Sequence, residues 1–284
     1  MSKLKLAIQK SGRLSEQSLT LISNCGISLN NGAKLKAIAN NFPLEVLYLR
    51  DDDIPKYVEQ GIADIGIVGG NVLAETNSSV SNLQDLNFGK CRLSLAIQRE
   101  KAYNGISTLK GKTIATSYPN ILKAYLRREG IQAKVEYISG SVEIAPSIGL
   151  ADAIFDIVST GSTLLKNGLK EVQTLMYSQA QLIANSNLDT KQTAVLNQFL
   201  TRLTAYMNAS SFKYVLLNAP NDKLDEICAI IPGMKSPSVL PLRKTGWSSL
   251  HSVCKEEEFW GIADQLSKLG AEGILVCPIE KMIQ

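Results

Sequence analysis

Apolar and polar positions alternate along this chain in strand-length runs separated by longer stretches of helical period, the pattern of a layered α/β protein. "LKLAIQ" predicts a strand, "SGRLSEQSLTLISNCGI" a loop and a helix ending at Gly26, "LEVLYLR" a strand, and "DDDIPKYVEQG" a helix closing at Gly61. "IADIGIVGG" follows as a buried strand running into a glycine loop. From residue 111 the order returns: "GKTIATS" as strand, "YPNILKAYLRREG" as helix, "AKVEYIS" as strand, "SVEIAPSIG" as helix, and "LADAIFDIVSTG" as a strand entering a loop of small residues. Gly61-Ile62-Ala63-Asp64 and Gly149-Leu150-Ala151-Asp152 occupy the same place in both cycles, which suggests a duplication.

Two related lobes facing each other across a cleft are the expected arrangement, with ligands at the carboxyl ends of the parallel strands. "NLQDLNFGKCRLSLAIQRE" reads as a strand passing between the lobes, and a second crossing is expected near "LKEVQTLMYSQAQLIAN". The domain reading is lobe I over 1–90 and 175–205, lobe II over 91–174, and a third domain over 206–284. In the last of these, strand, helix, strand, strand, helix, strand succeed one another, the βαββαβ order of a ferredoxin-like module. It carries no cluster of chemically competent side chains, so a regulatory or assembly role is expected of it.

Composition narrows the chemistry. The 284 residues are 45% hydrophobic and 20% charged with a formal charge of +4, and the cations are spread along the chain, so nothing calls for nucleic acid or a membrane. No segment approaches the roughly 20 apolar residues that span a bilayer, and the opening "MSKLKLAIQKSGR" lacks a signal-peptide apolar region, which predicts a cytoplasmic protein. Five scattered cysteines and a single histidine, His251, argue against a disulfide framework, a zinc site or a histidine-based triad.

Four segments carry candidate chemistry. In "DIVSTGSTLLKNG", Asp156 stands at a strand end and Ser159, Thr160, Gly161, Ser162 and Thr163 lie before a helix. That loop suits a phosphate, with Asp156 on sugar hydroxyls, but it also reads as a plain helix cap beside a solvated acid. No lysine follows as in a nucleotide P-loop. "QKSGRL" places Lys10, Gly12 and Arg13 around a helix start, suited to a diphosphate or simply exposed. "RDDDIP" sets Arg50 beside three acids, and "GSVEIAP" sets Glu143 at the matching place in the second cycle.

Taken together, "LAIQKSGRLSEQSL", "LRDDDIPKYVEQGIADIGIVGGNVL", "CRLSLAI", "GKTIATSYPNILKAYL", "GSVEIAPSIGLADAIFDIVSTGSTLLKNGL" and "ILVCPIEKM" closely resemble the ATP phosphoribosyltransferases in their long form, over nearly the whole chain. The resemblance implies a two-lobed catalytic core of periplasmic-binding-protein-like topology and a ferredoxin-like C-terminal domain. It implies transfer of a phosphoribosyl group from phosphoribosyl diphosphate to adenine N1 of ATP, with Mg2+, as the first step of histidine biosynthesis. It further implies histidine as feedback inhibitor and assembly into dimers and hexamers.

Carried onto this chain, the resemblance puts Asp156 and Ser159 to Thr163 on the ribose and 5-phosphate, and Lys10, Gly12 and Arg13 on the diphosphate, with Arg50 and Glu143 as further contacts. Gly69, Gly70, Asn71, Tyr118 and Lys123 become candidates for ATP, and Asp222, Ser238, Leu240 and Ala271 for histidine. The Mg2+ ligands stay open, the metal being held largely by substrate. The rival reading is a cytosolic two-lobed binding or sensor protein without catalysis. A phosphoribosyltransferase of the more usual type is disfavoured, because Phe155 rather than a second acid precedes Asp156.

Overall fold

The computed structural model describes residues 3–30 and 35–283. The chain divides into two compact units, Met1–Thr20 with Ile27–Val195 and Leu21–Gly26 with Leu196–Gln284. Among the described residues no helix is long and apolar enough to cross a membrane.

The first unit is built on two sheets. In chain order it contains β1 (Leu4–Gln9), α1 (Arg13–Asn24, shared with the second unit), β2 (Lys36–Ile38), β3 (Leu44–Leu49), α2 (Ile54–Glu59), β4 (Ile65–Gly69), α3 (Gly70–Thr76), β5 (Ser81–Asp85) and β6 (Cys91–Gln98). There follow β7 (Thr113–Thr116), α4 (Pro119–Arg128), β8 (Lys134–Tyr137), β9 (Ala153–Val158), α5 (Ser162–Lys166), β10 (Leu169–Ser178), β11 (Ala180–Ala184) and the start of α6 (Thr190–Ser210). The sheet orders are β2-β3-β1-β4-β11-β5 and β10-β6-β9-β7-β8.

The two cycles superpose in logic. β1 lies between its parallel partners β3 and β4, as β7 lies between β8 and β9, and each third strand takes an antiparallel partner on its far side, β11 on β4 and β6 on β9. The partner strands arrive from the other lobe, because the chain crosses once between β5 and β6 and returns between β10 and β11. This exchange gives the core the two-lobed, periplasmic-binding-protein-like topology. The duplication reaches single atoms: Asp64 N–H donates to the Lys5 carbonyl while its carboxylate accepts Lys5 N–H, and Asp152 does both with Thr113.

The inner strands β1, β4, β6, β7 and β9 are buried along most of their length, so their apolar runs need cover. On one face of the second sheet Leu93, Leu95, Ile114 and Phe155 pack against Leu122 and Leu126 of α4. On the other, Ala96, Ala115, Ile154 and Val158 meet Val142, Ala145 and Leu164. In the first sheet Ala7, Val68 and Ile183 are closed over by Ile54, Val58 and Val72. A buried side chain of this size stabilises by about 1.5–3 kcal/mol, so these layers hold the loops at the strand ends in fixed positions.

Three expectations change. "SVEIAPSIG" forms a single 3-10 turn, Val142–Ile144, and not a helix. Ser141 enters it with φ 51°, and Pro146 has no N–H to extend it. The crossing at 82–100 is two strands, one per sheet, where one was expected. The boundaries also shift: β10 pairs with β6 along its whole length to Ser178, past 174. Residues 196–205 fall in the second unit, where Ala205 accepts Met282 N–H and Arg202 reaches the Cys25 and Gly26 carbonyls.

In the second unit β12 (Phe212–Pro220), α7 (Leu224–Ile230), β13 (Ser238–Pro241), β14 (Trp247–Lys255), α8 (Glu256–Lys268) and β15 (Glu272–Pro278) follow the tail of α6. The sheet order β13-β14-β12-β15, antiparallel throughout, is ferredoxin-like. Val215, Leu217, Leu250 and Cys254 face Ile227, Phe259 and Leu266 of the two helices on one side of the sheet.

Candidate active site

In the first lobe the β1 and β3 exits lie side by side, since Gln9 is level with Leu49 and Lys10 N–H donates to the Leu49 carbonyl at 2.8 Å. Lys10, Gly12 and Arg13 therefore neighbour Arg50 and Asp51. The three cations and Gly12 are exposed, and Gly12 has φ +92°, a backbone that side chains rarely adopt. Arg50 begins a 3-10 turn, Asp51–Asp53, with no side-chain cap. Burial raises the Asp52 carboxyl, the charges of Asp51 and Asp53 add to the shift, and Arg50 opposes it.

The β4 exit is closed differently. Asn71 is buried at 5% exposure, its N–H donates to Ser178 Oγ, and its Oδ1 accepts the Ser178 hydroxyl. Its Nδ2 donates to Tyr118 Oη of the second lobe at 3.1 Å. Gly69 is required here, because a Cβ would lie 2.3 Å from Asn71 Oδ1. A second tie joins the lobes: the Glu75 carboxylate accepts Asn120 N–H at 2.8 Å and Ile121 N–H at 3.0 Å at the start of α4.

In the second lobe Asp156 sits on β9, two residues before the strand ends. Burial lifts its carboxyl from 3.8 to about 6, one backbone hydrogen bond from Ile157 opposes the shift, and the Glu143 charge adds to it. Tyr118 also feels Asp156: its hydroxyl is raised by burial first, then by the Asp156 charge, and further by Asp51 and Asp52. Carboxylates from both lobes thus converge on one phenol.

Ser159, Thr160, Ser162 and Thr163 are exposed in the loop that follows. Gly161 precedes α5 with φ 80°, and Ser162 N–H at the helix start donates to Thr160 Oγ1 at 3.4 Å. Thr160 Oγ1 lies 3.1 Å from Ser162 Oγ. The hydroxyls of the loop thus gather on one exposed turn at the start of α5.

A cavity of about 590 Å³ opens between the lobes, lined by Asp51, Asp52, Lys56, Glu75, Ser117, Tyr118, Asn120 and Tyr137 among others. Of the five ATP candidates Tyr118 is in this lining. Asn71 touches Tyr118 from behind, while Gly70 lines a separate hollow with Cys91 and Ser178. Lys123 is set apart, in a shallow depression with Gly111, Arg127 and Gln132. The four histidine candidates lie in the second unit and do not meet within one chain. Ser238 and Leu240 are on edge strand β13, Ala271 precedes the opposite edge β15, and Asp222 is in the turn before α7. His251 is on β14, 2.9 Å from Tyr214 Oη.

Sequence reasoning did not find Glu75 or Ser178. Glu75 reads as one more acid on an exposed helix, and Ser178 as a polar position in an alternating strand. Both matter only because the second lobe comes to them.

A family model for ATP phosphoribosyltransferase matches residues 50–205, and one for the HisG C-terminal domain matches 209–281. An ATP phosphoribosyltransferase of Cytophaga hutchinsonii is 54% identical over 282 residues, covering 99% of each chain, and one of Parabacteroides distasonis is 52% identical with the same coverage. Among solved structures, the ATP phosphoribosyl transferase (HisG:HisZ) complex from Thermotoga maritima aligns with TM-score 0.62 at 30% identity, covering 71% of this chain and 96% of that one. With residues 50–205 and 209–281 matched by the two family models and relatives alike over 99% of its length, the chain belongs to the ATP phosphoribosyltransferase family in its long form.

Proposed function

We propose that phosphoribosyl diphosphate binds with its ribose hydroxyls on Asp156, its 5-phosphate in the loop Ser159 to Thr163, and its diphosphate toward Lys10, Gly12, Arg13 and Arg50 of the facing lobe. The enzyme is a phosphoribosyltransferase opening histidine biosynthesis, and this placement is the one its geometry supports best. The carrying observation is Asp156: a carboxyl at a parallel strand end, lifted to about 6 by burial and by Glu143, beside an open turn of hydroxyls. Ribose hydroxyls would relieve that burial by donating to it. Glu143, whose charge reaches Asp156, is the further contact.

ATP then enters along Tyr118, with Gly69, Gly70 and Asn71 fixing the wall behind it. The adenine N1 lone pair attacks the anomeric carbon, the bond from that carbon to the diphosphate oxygen breaks, and diphosphate departs with the electron pair. No side chain need remove a proton first, so alignment and charge stabilisation by Lys10, Arg13 and Arg50 supply the rate.

The family implies a divalent metal, and Mg2+ suits the hard oxygen donors here. Among the described residues no group of three or more carboxylates, cysteines or histidines could cage it. That fits an ion held by substrate phosphates and water with Asp156 or Glu143 alongside. When bound, it would neutralise charge on the leaving diphosphate.

Histidine inhibition is placed in the ferredoxin-like unit. Leu240, Ser249, Asn218 and Glu272 form one row across its four strands, so at about 4.8 Å per strand the two edges are roughly 14 Å apart. A pocket using Asp222, Ser238, Leu240 and Ala271 would therefore take its two sides from two copies, which ties inhibition to assembly into dimers and hexamers. The enzyme works in the cytoplasm on small molecules alone.

The test mixes protein, ATP, phosphoribosyl diphosphate, Mg2+ and pyrophosphatase and follows the adenine absorbance change expected on N1 substitution. Turnover lost in Asp156→Ala with Thr160→Ala, with phosphoribosyl diphosphate binding lost in calorimetry, is the expected result. Wild-type affinity in that double variant would return the loop to a plain helix start.

A further inference from the structure

Beside the phosphate loop lies a cluster of polar side chains that the reaction above does not use. Arg92 is the second residue of β6 and pairs with Val158, the last residue of β9. Its Nε and Nη2 donate to the two Glu171 oxygens, both at 2.6 Å, a two-pronged ion pair on neighbouring β10. Its Nη1 donates to the Ser159 carbonyl at 3.1 Å. All three sides of the guanidinium fork are thus engaged, two on a carboxylate and one on the loop backbone.

Glu171 is itself fixed. Ser94 donates to its Oε1 at 2.7 Å, Thr174 Oγ1 donates to the same oxygen at 3.0 Å, and the carboxyl is held down at about 2, first by the Arg92 hydrogen bonds. Ser94 is the cross-strand partner of Asp156. The cluster therefore joins the two parts of the proposed phosphoribosyl site, the ribose carboxylate on β9 and the first residue of the loop after it.

An arginine at a phosphate site would ordinarily be read as a phosphate ligand. Here three of its five N–H donors, one on each nitrogen, are taken by Glu171 and Ser159, and with side chains only 29% and 25% exposed the pair is more than half sheltered from solvent. We infer that Arg92, aimed by Glu171, is a positioning residue: it sets where the Ser159 to Thr163 turn begins by holding the Ser159 carbonyl, and so acts on phosphoribosyl diphosphate through the loop. This rests on the loop's being the 5-phosphate site.

The test uses the full chain as Arg92→Gln, Arg92→Lys, Glu171→Gln and the double variant Arg92→Gln with Glu171→Gln. Thr160→Ala serves as a direct-contact control. Losing one charged hydrogen bond predicts a rise of about tenfold in KM for phosphoribosyl diphosphate in Arg92→Gln, with KM for ATP within about twofold and the loop amides exchanging faster. Glu171→Gln should move the same quantities less, the double variant should be no worse than Arg92→Gln alone, and Arg92→Lys should recover only part, because an ammonium cannot hold both partners in one plane.

Singles that add in the double variant, or an Arg92→Gln whose KM values and loop exchange are unchanged, would overturn the inference. So would equal losses in both KM values with a lowered Tm, the mark of a merely structural role. A normal KM in Arg92→Gln with a raised one in Thr160→Ala removes the inference and leaves the phosphate reading standing. A normal KM in Thr160→Ala together with Asp156→Ala removes the phosphate reading, and the loop-exchange measurement then decides whether Arg92 orders the turn at all.

Discussion

Asp64 in the first lobe and Asp152 in the second each stand one residue before a central strand, and each makes the same two backbone hydrogen bonds to the opening strand of its cycle. One strand-length later the lobes part. β4 ends in Gly69 and Gly70 against a buried Asn71 whose amide is consumed by Ser178 and Tyr118. β9 ends in exposed serines and threonines around Gly161, where Thr160 Oγ1 accepts Ser162 N–H within the turn. The same βα unit is a joint in one lobe and an exposed turn in the other. What differs is the setting of the side-chain polar atoms: buried and tied across the lobes at Asn71, exposed and paired only with each other at Thr160 and Ser162.

The contrast predicts opposite phenotypes, and the largest belongs to the open exit. Asp156→Ala removes a charged acceptor that the fold does not need, so kcat/KM for phosphoribosyl diphosphate should fall roughly 10- to 150-fold, the equivalent of a charged hydrogen bond. Thermal unfolding should be unchanged or slightly improved, because a buried acid leaves. A large fall in Tm with unaltered KM would reverse the assignment of the two exits.

Next in size is the pH dependence that Asp156 confers. Its carboxyl stands at about 6 in the folded protein against 3.8 unperturbed, so between about pH 4 and 6 the folded state holds a proton that the unfolded chain has released. Stability from this group is thus present at low pH and lost as pH rises through that window. Binding runs the other way, since ribose hydroxyls donate to the ionised form. Affinity for phosphoribosyl diphosphate should weaken by up to about tenfold per unit below pH 6, in addition to any effect of the ligand's own phosphate, which titrates near 6. Asp156→Asn keeps the ligand's share and removes the protein's, so calorimetric profiles of the two proteins should converge at low pH and separate above 6.

The closed exit answers in stability. Asn71→Ala leaves the Ser178 hydroxyl without its buried acceptor and unties the Tyr118 phenol, at about 1–3 kcal/mol, readable as a lower midpoint in urea with an unchanged slope. Because the same change unties Tyr118 of the second lobe, ATP affinity should fall along with it while phosphoribosyl diphosphate affinity moves less.

How much of this was legible in the sequence follows from range. The strands, the repeat and the ferredoxin-like order could be read because hydrophobic period and glycine punctuation are local properties. Asp156 and its loop could be read because strand end, acid and small-residue turn are contiguous. "SVEIAPSIG" was misread because its apolar spacing suits a helix, while Ser141 and Pro146 confine it to one turn. Lys123 was grouped with Tyr118 as an ATP candidate through the family resemblance, but α4 carries it round to a different depression. The Glu75 tie, the Asn71–Ser178 pair, 107 residues apart, and the Arg92–Glu171 pair, 79 apart, have no local signature. Each exists only because the chain crosses twice between sheets.

The smallest predicted effect tests the symmetry from which the comparison began. Asp64 is buried at 4% exposure and also accepts Gln192 Nε2 at 2.6 Å, whereas the Asp152 side chain is 37% exposed with Lys112 at 3.7 Å. Removing Asp64 leaves the Lys5 amide and the Gln192 amide without an acceptor at a partly buried site, a cost of about 1–3 kcal/mol. Removing Asp152 exposes the Thr113 amide to solvent that replaces most of the bond, and its ion pair with Lys112, open to water, contributes well under about 1 kcal/mol. Asp64→Ala should therefore unfold at a clearly lower urea concentration than Asp152→Ala, and Lys112→Ala should match the parent within error. Equal losses at Asp64 and Asp152 would mean that the shared backbone bonds, and not the burial around them, set the strength of each joint.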